Sequence, residues 1–437
     1  MIKETPRLVE RLSAVFCLTK CFTQLQRDGS RQITSGFWNP LRAAFAFLFF
    51  LHLPFVSSGE EWVQTSAPCQ FWQSIASSLD GNTLIAASYS ETNHDPGSLY
   101  VSTNAGQSWA STQAPKRFWE RVASSADGRR IVAVPYADGD WNPDGIYTSA
   151  DFGFKWSRCN IPAQNWMGVA SSKDGATLVA AGWGGSIFYS TNAGSSWNAG
   201  DAPGQFWQSV CSSGDGTRLV AAAYRDPDLN PGLLYISVDS GRHWVPTSAP
   251  ANNWFSIACS SDGAHLVAAS ANGSLYTSRD AGEHWISNNV PTESWFSVVS
   301  SEDGMKLGAF AGGESPGPSY FSTDGGNTWA PDDLSAASWT SAALSADGSR
   351  VVAVRGGYKP GFVYVRMPQP VLTIASVNGR ILLSWPKGLS GFVLEHCSDC
   401  QNPRWSGMTN ATYVAGEQNQ VTVSSSAGTH FFRLRSP

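Results

Sequence analysis

The chain has 437 residues and a formal net charge of −5, from 29 Lys and Arg against 34 Asp and Glu, so it carries no basic footprint for nucleic acid. Nineteen Trp and 42 Gly beside only 14% charged residues point to short strands, tight turns and aromatic packing. The length leaves room for more than one domain and a sizeable core.

Residues 43–55, "AAFAFLFFLHLPF", follow Arg42 and form an apolar run shorter than a membrane span. The small-residue stretch "VSSG" comes next. We read residues 1–58 as a signal or export segment cut after Ser58, with an uncleaved membrane anchor as the alternative. The 42 residues before the apolar run make a long leader, which suggests a start downstream of Met1. On the export reading the mature chain has no membrane span and is secreted, periplasmic or held at the cell surface.

From Trp72 onward the sequence repeats. In "FWQSIASSLDG" a Trp stands eight residues before Asp80-Gly81, and the spacing returns at Trp119/Asp127, Trp166/Asp174, Trp207/Asp215, Trp254/Asp262, Trp295/Asp303 and Trp339/Asp347. The Asp-Gly positions step by 47, 47, 41, 47, 41 and 44 residues. Each repeat parses into four strands. The first ends at the Asp-Gly turn, a hairpin signal, and the second is an apolar run such as "TLIAASY". The third, such as "SLYVS", leads into an octamer that turns the chain into the fourth at its Trp. Seven such repeats predict an all-β, seven-bladed β-propeller over residues 59–368. The seventh repeat has no octamer, whereas "EEWVQTSAP" around Trp62 matches "RHWVPTSAP" around Trp244. Residues 60–66 are therefore expected to complete the last blade and cover its edge.

The octamers are "STNAGQSW", "SADFGFKW", "STNAGSSW", "SVDSGRHW", "SRDAGEHW" and "STDGGNTW", ending at Trp109, Trp156, Trp197, Trp244, Trp285 and Trp329. They resemble Asp-box (BNR) repeats, S-x-D-x-G-x-T-W, of sialidases, sortilin-type receptors, some glycoside hydrolases and photosystem-assembly-factor-like propellers. Asn104 and Asn192 depart from the pattern, and only Thr328 supplies the Thr before Trp. The resemblance implies the propeller fold but no single activity. It also implies that Asn104, Asp151, Asn192, Asp239, Asp280 and Asp324 are structural and lie on the face opposite a ligand.

A ligand is therefore expected over the loops between second and third strands. These are long in three blades, "SYSETNHDPGS", "PYADGDWNPDG" and "AYRDPDLNPGL". Tyr89, Tyr136, Trp183 and Tyr224 stand at one aligned position, occupied elsewhere by Ala271, Gly312 and Gly357. With Trp141 and Arg225 they form the candidate binding set for a carbohydrate or a peptide, with Asp138, Asp140, Asp226 and Asp228 nearby. The same aromatics have a plain packing reading as caps on the blades. Asp138, Asp140, Asn142 and Asp144 alternate like calcium-loop donors, but Pro143 and Ser149 stand where an EF-hand needs Gly and Glu, and turn chemistry explains the letters. No resident metal or cofactor is expected.

A sialidase would need an arginine cluster, an Arg-Ile-Pro segment and a Tyr–Glu pair, and the chain has no Arg-Ile-Pro. A two-carboxylate glycosidase needs only two acids facing a cleft, which leaves Asp140 with Asp226 open. No Ser-His-Asp arrangement emerges from the seven histidines. Residues 369–437 read as a separate small β domain with strands at "VLTIASV", "RILLSWP", "GFVLEHC", "NQVTVS" and "HFFRLR". It resembles β domains appended to secreted bacterial proteins. Cys397 and Cys400 form a lone C-x-x-C, read as a local disulfide or two free thiols rather than zinc ligands. The expectation is a monomeric, exported, non-catalytic binding or scaffolding propeller. The alternatives are a carbohydrate-active enzyme and a protein-assembly factor.

Overall fold

In the computed structural model every Asp-Gly turn is built by the same hydrogen bonds. At the first, Ser78 Oγ donates to Asp80 Oδ1 at 2.5 Å, the same oxygen accepts the Asn82 N–H at 2.9 Å, and Ser78 Oγ accepts the Thr83 N–H at 2.9 Å. Gly81 takes the positive φ that closes the turn. The set recurs at Asp127, Asp174, Asp215, Asp262, Asp303 and Asp347. The structure describes residues 61–91, 95–271, 273–313, 315–332, 336–357 and 359–367. Beyond these it describes segments 372–377, 380–386, 393–398, 404–408, 413–415, 418–424 and 431–435. The expected export segment and Cys400 lie outside them. The described residues fall into two compact units, one within Glu60–Pro368 and one after Gln369.

In the first unit each repeat folds into a four-stranded antiparallel sheet. Phe71–Ser77, Leu84–Ser90, Leu99–Ser102 and Ala110–Ser111 pair in that order. The pattern returns in the repeats that begin with Phe118–Ser124, Trp166–Ser171, Gln205–Ser212, Trp254–Cys259 and Trp295–Ser300. The third and fourth repeats join into one eight-stranded sheet, because Trp183 pairs with Phe206 and Gly185 with Gln205. Trp339–Leu344, Val351–Arg355 and Val363–Met367 make three strands of a further sheet. Its fourth is Glu61–Gln64, which lies antiparallel to Val363–Met367 with Trp62 opposite Arg366 and Gln64 opposite Tyr364. The fold is an all-β propeller.

The core lies between sheets rather than within them. Trp72, Trp119, Trp166, Trp207, Trp254, Trp295 and Trp339 are fully buried, each within a cluster shared by two neighbouring sheets. Trp254 meets Cys211, Val220, Ala222 and Leu234 of the preceding sheet, with Ile257, Leu266 and Ala268 of its own. Trp72 meets Val352, Val354, Val363 and Val365, so the first repeat packs on the last. The octamer tryptophans join the same clusters: Trp109 with Trp72, and Trp285 with Trp254. Fully burying side chains of this size contributes about 1.5–3 kcal/mol each in area terms.

At the Asp-Gly hairpins the turns that end the innermost strands are tied by a circle of backbone bonds. Leu79 N–H donates to Ala126 O (2.9 Å), Ala126 to Lys173 (2.7 Å), Lys173 to Gly214 (2.8 Å) and Gly214 to Ser261 (2.7 Å). Ser261 then donates to Glu302 (2.8 Å), Glu302 to Ala346 (2.9 Å) and Ala346 back to Leu79 (2.7 Å).

The second unit has two sheets, one of Thr373–Val377, Arg380–Pro386, Gln418–Ser424 and Tyr413–Ala415, the other of Ser406–Gly407, Val393–Cys397 and Phe431–Arg435. Leu383, Trp385 and Val421 of one sheet pack with Leu394 of the other. All five strands expected there are present, with two short ones added. Among the described residues no helix is long and apolar enough to cross a membrane.

Candidate functional site

The octamers sit at the Asp-Gly end of each sheet, where the Ala105 N–H reaches Asn82 O at 2.8 Å. Their polar groups are consumed locally. Ser278 Oγ donates to Asp280 Oδ1 (2.9 Å) and accepts the Gly282 N–H (2.9 Å), while Trp285 Nε1 donates to Gly282 O (3.2 Å). Asn104 serves as Asp does, its Oδ1 accepting Ser102 Oγ and the Ser108 N–H at 2.9 Å each, and Asn192 repeats this with Ser190 and Ser196. Asp151, Asp239 and Asp324 are bonded alike.

The His284 N–H and then its imidazole hold the Asp280 carboxyl at about 2, below its usual 3.8. The Thr328 hydroxyl and N–H hold Asp324 at about 2. At Asp239 partial burial pulls the other way, but the His243 N–H and ring bring it to about 2. A carboxyl depressed in the folded state stabilises it above the unfolded pKa, and that contribution fades as pH falls through the folded value. The melting temperature should therefore drop between about pH 4 and pH 2. Asp280→Asn with Asp324→Asn should flatten that drop, as Asn104 and Asn192 already do in their own turns. An unchanged acid profile in the double variant would count against it.

Asp280, Glu283 and His284 also form the one cluster among the described residues where three His, Cys, Asp or Glu ligand atoms lie within 4.8 Å of one another. All three are exposed, and Asp280 is engaged as described.

The other end of each sheet carries the candidate ligand face. Here the loop after each second strand meets the chain entering the next repeat, through bridges such as Gly97–Arg117, Asp144–Gln164 and Gly232–Asn252. The structure gathers the expected aromatics into two groups and adds four phenylalanines. Trp141 stacks on Phe118 at 4.0 Å and 25°, with Tyr89 at 5.2 Å from Phe118 and 6.4 Å from Trp141. Trp183 lies 5.1 Å from Phe206 and 6.1 Å from Tyr224, Tyr224 lies 6.5 Å from Phe255, and Phe255 lies 4.7 Å from Phe296. The Arg225 guanidinium stands 5.3 Å over the Tyr224 ring. Tyr136 is half-buried and joins neither group by ring contact among the described residues; its carbonyl accepts Asn165 Nδ2 at 2.7 Å. Sequence reasoning missed the phenylalanines, although Phe precedes or follows the first-strand Trp in each case.

Two long loops share one geometry. Asp138 Oδ1 accepts the Asp140 and Asn142 N–H groups at 2.9 Å, and Asp226 Oδ1 accepts the Asn230 N–H at 2.8 Å. Each loop thereby lifts an apolar residue at positive φ to the surface, Trp141 in one and Leu229 in the other, 55% and 61% exposed. The calcium-like spacing is this turn. Asp144 does not share it: it is buried, and its carboxylate takes Arg117 Nε at 2.5 Å, Arg158 Nε at 2.9 Å and the Tyr147 hydroxyl at 3.0 Å. Burial opposes ionisation there, but Arg117, the Gly145 N–H and Arg158 hold the carboxyl below its ordinary range.

Two of the empty positions in the aromatic row have a packing cause. A Cβ on Gly312 would lie 2.3 Å from the Trp339 backbone, and one on Gly356 2.2 Å from Trp72 O. The register places Gly356, not Gly357, in this row, since Trp72 bridges Gly356 and Trp339 bridges Gly312. A larger cleft of about 410 Å³ lies at the octamer end between the second and third sheets, lined by Arg130, Thr148, Asp151, Lys155 and Ser195. Asp151 Oδ1 there already accepts the Lys155 N–H at 2.8 Å and the Ser149 hydroxyl at 2.9 Å.

No protein-family model matches the chain, and no curated protein does. Solved structures do. YCF48 from Cyanidioschyzon merolae is similar at TM-score 0.53 and 17% identity, over 70% of this chain and 98% of that one. A structure described as YCF48 bound to D1 peptide is similar at 0.51 and 12%, over 71% and 96%. The GH74 xyloglucanase from Xanthomonas campestris is similar at 0.52 and 14%, over 75% of this chain and 60% of that enzyme. These likenesses establish a β-propeller fold.

Proposed function

We propose that this chain is an exported, seven-bladed Asp-box propeller, closed by its N-terminal strand, that works as a non-catalytic binding or scaffolding module. Its ligand is a carbohydrate or a peptide held over the aromatic face, and the working unit is a monomer. The observation that carries this reading is the pair of aromatic groups on the face away from the octamers, one built on Phe118 and Trp141 and the other on Trp183, Phe206 and Tyr224. Partly exposed flat rings such as Trp141 and Trp183 suit sugar faces and peptide side chains alike. The likeness to a YCF48 structure bound to a peptide and to a xyloglucanase is compatible with either ligand class.

A glycosidase needs one carboxyl kept protonated near neutrality. Of the Asp140 and Asp226 pair, Asp226 is held below the ordinary range, first by the Asn230 amide. That direction does not favour the acid role for Asp226.

The test is a screen of the mature chain against immobilised glycans and unstructured peptides, scoring binding and cleavage together. Trp141→Ala and Trp183→Ala should each weaken the captured ligand by about three- to tenfold, the value of one aromatic contact at about 0.5–1.5 kcal/mol. Melting should shift only slightly in Trp141→Ala, whose ring is 55% exposed. Cleavage of a captured glycan, or binding indifferent to both rings, would overturn the reading.

A further inference from the structure

The channel between the innermost strands carries a serine device that two repeats lack. Two residues after each first-strand Trp the repeat places a Ser: Ser74, Ser209, Ser256, Ser297 and Ser341. Each hydroxyl reaches across to the next sheet and accepts a backbone N–H. Val122 donates to Ser74 (3.2 Å), Ile257 to Ser209 (3.3 Å), Val298 to Ser256 (3.0 Å), Ala342 to Ser297 (3.1 Å) and Ile75 to Ser341 (3.2 Å). The device satisfies N–H groups that point away from their own sheet into the channel, where they would otherwise be stranded.

Two successive repeats break the rule. The second has Arg121 in the Ser position and the third has Gly168. The N–H groups they would have served belong to Val169 and Val210, which hold the same register as Ile75 and Ile257. Neither N–H has an acceptor among the described residues. Both residues line a chamber of about 120 Å³ in the channel, together with Arg121, Gly168, Phe255 and Phe296. The Arg121 guanidinium uses one nitrogen, Nη1, on Glu120 Oε1 (2.8 Å) and the Glu120 carbonyl (2.9 Å). Its Nε and Nη2 have no acceptor among the described residues.

Glu120 is almost fully buried, and its Oε1 also accepts Gln73 Nε2 at 2.9 Å. Burial pushes its carboxyl up, against the pull of Arg121. Strand carbonyls share the channel wall, so donors alone do not single out this side. What does is the coincidence of two unserved N–H groups with a cation, beside a glycine that leaves the space open. A Cβ on Gly168 would already stand 3.3 Å from the Ser209 backbone.

We propose that this chamber binds a small monoanion, a carboxylate of one or two carbons or an inorganic oxyanion of that size. One oxygen takes the Val169 and Val210 N–H groups and another takes the free edge of Arg121. Charge-assisted bonds of this kind are the strong ones in a partly dry site. The volume of about 120 Å³ suits formate or acetate better than a sugar acid. No covalent step is involved.

The test uses the whole mature chain, calorimetric titration with sodium formate and sodium acetate, and melting curves at constant ionic strength. Sodium gluconate, too large for the chamber, is the matched control. Formate and acetate should titrate with one site and raise the melting temperature to a plateau, and gluconate should do neither. Glu120→Gln with Arg121→Ser converts "FWER" into the "FWQS" already present at 71–74 and 206–209, so the sheet receives a sequence the fold accepts elsewhere. That double variant should bind formate at least tenfold more weakly. Formate behaving as gluconate does on the unaltered chain, or a loss smaller than tenfold in the double variant, overturns the site.

Discussion

A chain truncated to begin at Ala67, without residues 60–66, is expected to lose at least about 3 kcal/mol of stability and to associate in a concentration-dependent way. The deletion removes the four paired positions from Glu61–Met367 to Gln64–Tyr364 and the bond from Thr65 N–H to Val363 O at 2.9 Å. It also removes Trp62, whose ring lies 5.3 Å from Trp339 and 6.3 Å from Phe310 within the cluster of Val299, Phe310, Trp339 and Val351. Trp62 Nε1 donates to Asp332 Oδ2 at 2.5 Å, so the deletion leaves that buried carboxylate short of a partner. Emptying a Trp site alone costs about 3–5 kcal/mol when the site is fully buried, and Trp62 is half-buried. The uncovered Val363–Met367 strand then presents an edge that pairs with another copy. Urea denaturation and light scattering read the two effects. A truncated chain with the same midpoint and no association would mean the propeller closes by some other contact.

Trp254→Ala is expected to cost about 3–5 kcal/mol, as large as any single substitution here. Its side chain is fully buried between two sheets, with Tyr276 edge-on at 5.2 Å and Trp285 at 6.4 Å. The surrounding alanines, Ala222 and Ala268, cannot grow to fill the space, and both backbones are fixed by their ladders. Differential scanning calorimetry of the variant beside Trp285→Ala gives the comparison. Trp285 is half-buried at the octamer end, so its loss should be the smaller of the two.

Much of the strand pattern was legible because its signals are local and repeat. The Asp-Gly turns, the octamers and the apolar second strands each occupy fewer than ten residues and recur in step, so one copy checks another. The match of "EEWVQTSAP" to "RHWVPTSAP" was legible for the same reason. What lay hidden depends on pairs far apart in the chain. Asp144 looked like a member of the 138–144 loop, but its partners include Arg117, 27 residues away. The aromatic row read as a candidate binding set with bare positions beside it. At Gly312 and Gly356 the neighbouring Trp backbone leaves no space for a ring, which periodicity cannot reveal. The channel serines were visible as letters, but their direction was not. It follows from a register shift between each first-strand Trp and the residue two places on, as between Trp254 and Ser256.

The seven backbone bonds that run from Leu79 through Ala346 and back have no first member. In an open row a terminal repeat could peel away by breaking one such link. In a circle every sheet is held by two, and the loss of either leaves an arc whose ends no longer meet. The amide protons of Leu79, Ala126, Lys173, Gly214, Ser261, Glu302 and Ala346 are thus protected by one another's neighbours rather than by their own strands. Their exchange with solvent is expected to be a property of the circle, at a common rate set by the opening of the whole, which amide exchange followed by NMR would read.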